Sequence, residues 1–288
     1  MKLDVRLRRA LLVPMVVTLL ALTVYPTVYA LVVSLTDAQG GQPGRFVGLK
    51  NYTDLFSHPT FWDSLVVTLV FTVAAVVCEV VLATALILLL FDLRTEHRWL
   101  RAMLLLPMAA TPVAVMFGWK IILDPTLGVL NYFIGDVFHL GRPEWLGSPT
   151  TALLTLIVVD IWQWTPFILV ILFGGMTNVS KELVEASLID NANWWQRARY
   201  VILPQLKPFL LVALLFRGVD ALRTFDSIQV LTGGGPGYST TTLNMLAFRQ
   251  GIQYLNFGQG AAVALILLVI TMVFGQLALR FAARGRYS

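Results

Sequence analysis

Six apolar stretches, each long enough to cross the roughly 30 Å hydrocarbon layer of a bilayer, divide this sequence and leave little room for another architecture. They run approximately from 10 to 35, 62 to 91, 102 to 123, 152 to 176, 208 to 231 and 261 to 283. Each is continuously apolar rather than alternating. That predicts helices and excludes barrel strands, because a helix satisfies its own backbone hydrogen bonds in lipid. Composition agrees: 57% of the 288 residues are hydrophobic and 13% charged, against about 25% charged in a soluble domain. The single cysteine, Cys78, sits in an apolar run, so a disulfide scaffold is excluded and a buried small hydrophobe is expected there. The first run is too long for a signal-peptide core and is read as a retained anchor.

A net charge of +5 and a sequence pI near 9.5 could suggest a nucleic-acid binder, but that needs a basic face. The Lys and Arg residues follow topology instead. With the N-terminus inside, the inner segments hold Lys2, Arg6, Arg8, Arg9, Arg94, Arg98, Arg101, Lys181, Arg197, Arg199, Lys207, Arg280, Arg284 and Arg286. The outer ones hold Arg45, Lys50, Arg142 and Arg249. The positive-inside rule therefore places both termini in the cytoplasm. Two connecting segments, 36 to 61 and 124 to 151, then face outward, and a third, 177 to 207, faces the cytoplasm. No repeat or linker divides the chain, so residues 1–288 are expected to form one membrane domain.

Several chemistries are missing. There is no Gly-x-x-x-x-Gly-Lys-Ser/Thr loop to cradle a nucleotide, and His58, His97 and His139 are scattered rather than set at metal-ligand spacing. No Gly-x-Ser-x-Gly elbow occurs either. The chain is therefore not expected to be an enzyme or to bind a cofactor or metal, and any work it does must draw on a gradient or a partner.

The segment from Lys181 to Pro204 predicts two short helices with a break at Asp190 and Asn191. Glu182 and Glu185 are expected in the first turn, where they complement the helix dipole. Asn191 can adopt the left-handed conformation that ends a helix, Asp190 or Asn193 can cap the next, and Pro204 is expected to stop it. The result is an elbow with the small pair Ala186 and Ser187 on its surface, suited to a partner's groove. This stretch resembles the EAA motif of binding-protein-dependent ABC importer permeases: Glu-Ala-Ala, three residues, Gly, then nine residues to Ile-x-Leu-Pro. Glu185, Ala186, Ser187, Asn191, Ile202 and Pro204 occupy or approximate those positions, with Ser187 for the second Ala and Asn191 for Gly. Both substitutions keep the physical requirement of a small residue and a positive φ. The segments Phe46-Val47-Gly48-Leu49-Lys50-Asn51-Tyr52, Leu231-Thr232-Gly233-Gly234-Gly235-Pro236-Gly237 and Phe257-Gly258-Gln259-Gly260-Ala261-Ala262 are similar to the maltose-type carbohydrate permeases.

Polar residues inside the spans need a reason, since a charge near the bilayer centre costs about 2.5 to 3.5 kcal/mol on insertion scales. Asp160, Gln163, Trp164 and Phe167 share one helical face, and Arg217, Asp220, Ala221 and Thr224 repeat the spacing on the next span. Two such stripes would line a water-accessible cavity, with carboxylates and amides for hydroxyls and an indole for the apolar face of a sugar ring. The alternative is an internal ion-pair ladder through Arg217, Asp220, Arg223 and Asp226, favoured for the last two. Glu79 is expected to bond to a neighbouring helix, and Lys120 to snorkel outward. Pro107, Pro112 and Pro166 are expected to kink or break their helices.

The resemblance implies a type I ABC importer permease fold, all α with six transmembrane helices. It implies a subunit of an ATP-driven carbohydrate importer in a bacterial cytoplasmic membrane, working by alternating access on a disaccharide or oligosaccharide. Its implied partners are a second permease subunit, two ATP-binding subunits carrying the ATP and Mg, and an extracytoplasmic substrate-binding protein. It assigns substrate contact to Asp160, Trp162, Gln163, Trp164, Phe167, Arg217, Asp220, Ala221 and Thr224. It assigns ATPase coupling to Glu182, Glu185, Ala186, Ser187, Asp190 and Asn191. A polyol or glycerol phosphate substrate, and in another class a gradient-driven secondary transporter, remain open at this point.

Overall fold

The computed structural model describes residues 5–92 and 98–284, with side chains over 12–90 and 104–281. Lys2, Arg94, His97 and Arg286, and the side chains of Arg6, Arg8, Arg9, Arg98, Arg101 and Arg284, lie outside the described residues. Among the described residues thirteen α-helices follow in order: α1 Val5–Ser34, α2 Lys50–Ser57, α3 Pro59–Asp92, α4 Arg98–Ala109, α5 Pro112–Ile122, α6 Val129–Asn131, α7 Pro149–Met176, α8 Lys181–Ile189, α9 Trp194–Arg197, α10 Leu203–Leu222, α11 Asp226–Leu231, α12 Leu243–Phe248 and α13 Phe257–Arg284.

Among the described residues, five helices are long and apolar enough to cross a membrane: Leu12–Ser34, Pro59–Leu90, Pro149–Met176, Trp194–Leu222 and Phe257–Phe281. The expected third span, 102 to 123, is instead two short helices, α4 and α5. Thr111 is extended at φ −63° and ψ 134°, and Pro112 opens α5, a position where the missing N–H is no loss. Pro107 and Pro166 stay inside α4 and α7. The expected fifth span, 208 to 231, lies about 14 residues too late at its start and 9 at its end, against the observed Trp194–Leu222. Pro204 does not stop the helix. A π-helical turn, Ala198–Ile202, precedes α10, and the Leu203 N–H reaches the Ala198 carbonyl. The wider i to i+5 ladder absorbs the donor that Pro204 lacks, so the helix continues through it.

The chain divides into two compact units. The first comprises Met1–Phe61 and Leu246–Leu268. The membrane-crossing window of α1 is 0% buried, so it presents apolar side chains all round. Its C-terminal carbonyls are taken up by Asn51 of α2, whose Nδ2 donates to Ser34 O at 2.7 Å and Thr36 O at 2.8 Å. Tyr52 Oη and Ser34 Oγ are 2.8 Å apart. A Cβ on Gly258 would collide with the Thr36 carbonyl and with Asn51 Nδ2, and one on Gly260 would meet the Gly251 backbone.

The second unit comprises Trp62–Met245 and Val269–Ser288. Its core joins three helices through Ala83, Ile87 and Leu88 of α3, Ile168, Leu169 and Leu172 of α7, and Leu206 and Ala213 of α10, with Ala198 and Ile202 of the π turn. The helices α10 and α4 pack against α7, and α11 packs against α5. Cys78 is exposed on α3 rather than buried. Lys120 does not simply reach outward: its Nζ donates to the Val230 carbonyl at 3.0 Å, near the C-terminal end of α11, where a cation complements the helix dipole. The Gly233–Gly237 turn has positive φ at Gly233, Gly234 and Gly237. Buried Thr240 and Thr241 donate to the Gly235 and Gly234 carbonyls, each at 2.7 Å.

Candidate functional site

In the second unit, Arg217 of α10 is 1% exposed and gathers three carboxylates. Its Nε donates to Glu79 Oε2 at 2.8 Å and its Nη2 to Glu79 Oε1 at 3.0 Å, a bidentate pair. The same Nη2 donates to Asp160 Oδ2, and Nη1 donates to Asp220 Oδ2 at 3.1 Å. The guanidinium also lies 5.4 Å from the ring centroid of Trp164, within cation–π range. Helical spacing dictates part of this, since Asp220 lies one turn beyond Arg217 and Trp164 one turn beyond Asp160. The rest is tertiary: Glu79 comes from α3 and Asp160 from α7. A charge with so many partners can be kept out of water, whereas a lone one could not.

Two adjoining cavities open beside the cluster. One, of about 300 Å³, is lined by Trp164, Phe167, Phe216, Arg217, Val219, Asp220 and Arg223. The other, of about 130 Å³, is lined by Asp160, Gln163, Trp164, Asp220, Arg223, Thr224 and Asp226, with Pro112, Met116, Phe225 and Ser227 closing it. Gln163 is 1% exposed and its Oε1 has no hydrogen-bond partner. The Asp220 side chain is 59% exposed, so one arm of the cluster reaches the cavity while Glu79 is hidden behind it.

The structure sorts the residues of the two stripes. Asp160, Gln163, Trp164, Phe167, Arg217, Asp220 and Thr224 all line one cavity or both. Trp162 and Ala221 line neither. Trp162 is 44% exposed and packs edge-on against Trp119, and Ala221 is buried. Thr224 reaches the cavity from a non-helical link, because α10 ends at Leu222. The ladder holds for Arg217 and Asp220 but not beyond: among the described residues no salt bridge joins Arg223 to Asp226, since the helix has unwound between them.

The 177 to 207 segment forms the expected elbow. The helix α8 ends at Ile189, and Asn191 adopts φ +55°. Asn193 caps α9 in a reciprocal box with Gln196, at 2.9 Å and 2.8 Å. Only Glu182 lies in the first turn of α8; Glu185 falls one turn later. Glu182, Glu185, Ala186, Asp190 and Asn191 are exposed, whereas Ser187 is buried and donates to the Val184 carbonyl at 2.6 Å. The surface therefore carries Ala186 with Leu183, Leu188 and Ile189, not the small pair expected. Gln205 was not foreseen. Its Oε1 accepts from the Ser180 N–H at 3.0 Å and its Nε2 donates to the Val201 carbonyl at 2.8 Å, which ties the start of α8 to α10. A groove of about 490 Å³ beside the elbow is lined by Asn193, Trp195, Gln196, Arg199, Tyr200 and Leu203.

A polar cavity and an exposed helical elbow thus hang on the same two membrane-length helices, as a membrane transport subunit requires. The chain belongs to the family of binding-protein-dependent transport system inner membrane components, whose pattern matches residues 6–286. It is 33% identical over 275 residues to the trehalose/maltose transport system permease protein MalF of Thermococcus litoralis, covering 94% of this chain and 92% of that one. It is 32% identical over 275 residues to the trehalose transport system permease protein SugA of Mycobacterium tuberculosis strain H37Rv, covering 93% and 87%. Its fold is similar to that of a bacterial ABC transporter involved in import of the acidic polysaccharide alginate, with TM-score 0.82 at 20% identity over 96% of this chain and 95% of that one. Alginate transporter has also been crystallised with an alginate pentasaccharide-bound periplasmic protein.

Proposed function

We propose that this chain is one of two permease subunits of an ATP-driven importer that carries a disaccharide or oligosaccharide inward by alternating access. The observation that carries this reading is the bracketing of the elbow. α7 bears Asp160, Gln163 and Trp164 and leads directly into α8; α10 returns from the elbow to Arg217 and Asp220. From Trp194 to Leu222 the chain is one helical run of 29 residues, about 40 Å long. A partner that grips the elbow from the cytoplasm therefore holds the far ends of both cavity walls.

Each part has a role in such a cycle. An extracytoplasmic binding protein delivers the sugar to the outward-open permease pair. Asp160, Gln163, Asp220 and Thr224 offer hydrogen bonds to hydroxyls, while Trp164 and Phe167 supply apolar wall. Two ATPase subunits, which hold the ATP and Mg, dock on the exposed face of α8 and close on ATP. Their closure moves the elbow, and when they part again the cavity reopens inward and releases the sugar. This chain does no chemistry on the sugar, and both of its termini lie in the cytoplasm. Family membership sets aside the gradient-driven transporter. Relatives named for trehalose and maltose favour a neutral disaccharide as cargo, and the motif resemblance favours a second, related permease as the partner subunit.

The experiment is the ATPase rate of the complex co-purified with its neighbouring gene products, with its binding protein and a sugar panel. A sugar-loaded binding protein should stimulate hydrolysis, and Glu185→Ala should reduce the stimulation. If no ATPase subunit copurifies and no sugar changes the rate, the reading fails.

A further inference from the structure

The saturation of Arg217 bears on the charge of the substrate, a matter on which the family is silent, since one structural relative takes an acidic polysaccharide. We infer that the cavity accepts uncharged sugars and turns anionic ones away, and that Asp220 sets this selectivity; the inference rests on the sugar-permease reading above. Arg217 is the buried cation at the cavity wall, the natural seat for a phosphate or carboxylate. Its Nε and Nη2 are taken by Glu79 and Asp160, and Asp220 covers Nη1 on the open side. Only Arg223 at the rim adds another guanidinium, and Asp226 lines the cavity beside it. An anion that approaches Arg217 from the cavity thus meets the Asp220 carboxylate first, with Asp226 lining the cavity beside it.

A neutral sugar meets matching chemistry instead. Gln163 lines the smaller cavity and its buried Oε1 has no partner, so the residue has an acceptor to spare for a hydroxyl donor. Asp220 engages Arg217 through Oδ2, and its exposed side chain keeps Oδ1 for further hydroxyls. The same arrangement that repels a phosphate therefore binds a polyol ring, which separates the disaccharide from the glycerol phosphate alternative.

The test is equilibrium binding of radiolabelled maltose, trehalose, maltose 6′-phosphate and trehalose 6-phosphate to the purified complex in nanodiscs, with the binding protein left out. A neutral disaccharide should bind at least about tenfold more tightly than its phosphate, as expected for an unfavourable like-charge contact. Asp220→Asn should narrow that ratio about fivefold or more by removing the negative charge that covers Nη1. Wild-type complex supplies a second measurement that needs no variant: raising the salt concentration should strengthen phosphate binding, through screening of the repulsion, and leave the neutral sugar nearly unchanged. A phosphate that binds as tightly as its parent sugar, or phosphate binding that weakens with salt, overturns the inference while leaving a sugar permease intact. If neither disaccharide nor either phosphate binds, the disaccharide reading itself fails and the inference falls with it.

Discussion

Arg217 and Glu79, 138 positions apart in sequence, form a two-bond ion pair at 2.8 and 3.0 Å with side chains 1% and 0% exposed. Such a pair fixes α3 to α10 in the middle of the second unit. Breaking a buried pair from one side strands the other charge and costs about 3 to 5 kcal/mol. Arg217→Leu should reach that range, because it leaves Glu79 beside Asp160 with no cation between them. Glu79→Gln should lose less, since the amide oxygen still accepts. Thermal unfolding of the purified complex in nanodiscs reads the order directly, and an Arg217→Leu protein as stable as wild type would refute it.

Asn191 holds a positive φ of 55° at the bend between α8 and α9. Glycine adopts that conformation freely, whereas a side chain without a local hydrogen bond costs roughly 1 to 2 kcal/mol there. Asn191→Gly should keep sugar-stimulated ATPase activity, and Asn191→Val should lose most of it. Equal activity in the two variants would mean the bend is not needed for coupling.

Gln205 bonds both the Ser180 N–H and the Val201 carbonyl. Gln205→Leu removes both bonds and leaves an orphan donor at the start of α8, a loss of about 1 to 3 kcal/mol. Equilibrium sugar binding should hold while ATPase stimulation falls severalfold. Loss of both together would mark a general folding defect instead.

Gly258 and Gly260 sit where a single methyl group meets backbone atoms of Thr36 and Gly251. Overpacking against atoms that cannot rotate away costs typically 1 to 3 kcal/mol. Gly258→Ala and Gly260→Ala should therefore lower the melting temperature and the yield of assembled complex, whereas Gly275→Ala, with open space around it, should not. Gel filtration with a thermal melt separates the three.

What the sequence disclosed follows the range of each signal. Helical spans and the Asn191 bend are local: apolar length sets the first and the tolerance of Asn for positive φ the second. The side-by-side placement of Asp160, Gln163, Trp164 and Phe167 follows from helical spacing, but Trp162 could be separated from Trp164 only once the direction of α7 was known. Nothing near Glu79 in the chain points to Arg217, because tertiary pairing leaves no mark at 138 positions' separation. Pro204 misled because a proline reads as a helix stop, while the π turn that accommodates it has no sequence signature of its own. The end of α10 at Leu222 was hidden by the apolar run that continues through Ile228 and Leu231.

The π turn at Ala198–Ile202 has a mechanical consequence. A straight α-helix from Trp194 is a stiff lever, and a tilt of about 10° at its elbow end would swing Arg217 by roughly 6 Å at 1.5 Å rise per residue. A five-residue stretch of wider winding near the fulcrum is the softest part of that lever. In the coupling cycle proposed above, its compliance sets how much of a pull on the elbow arrives at the cavity and how much is lost as bending, so the stroke is tuned at Ala198–Ile202, four residues past the start of α9 at Trp194.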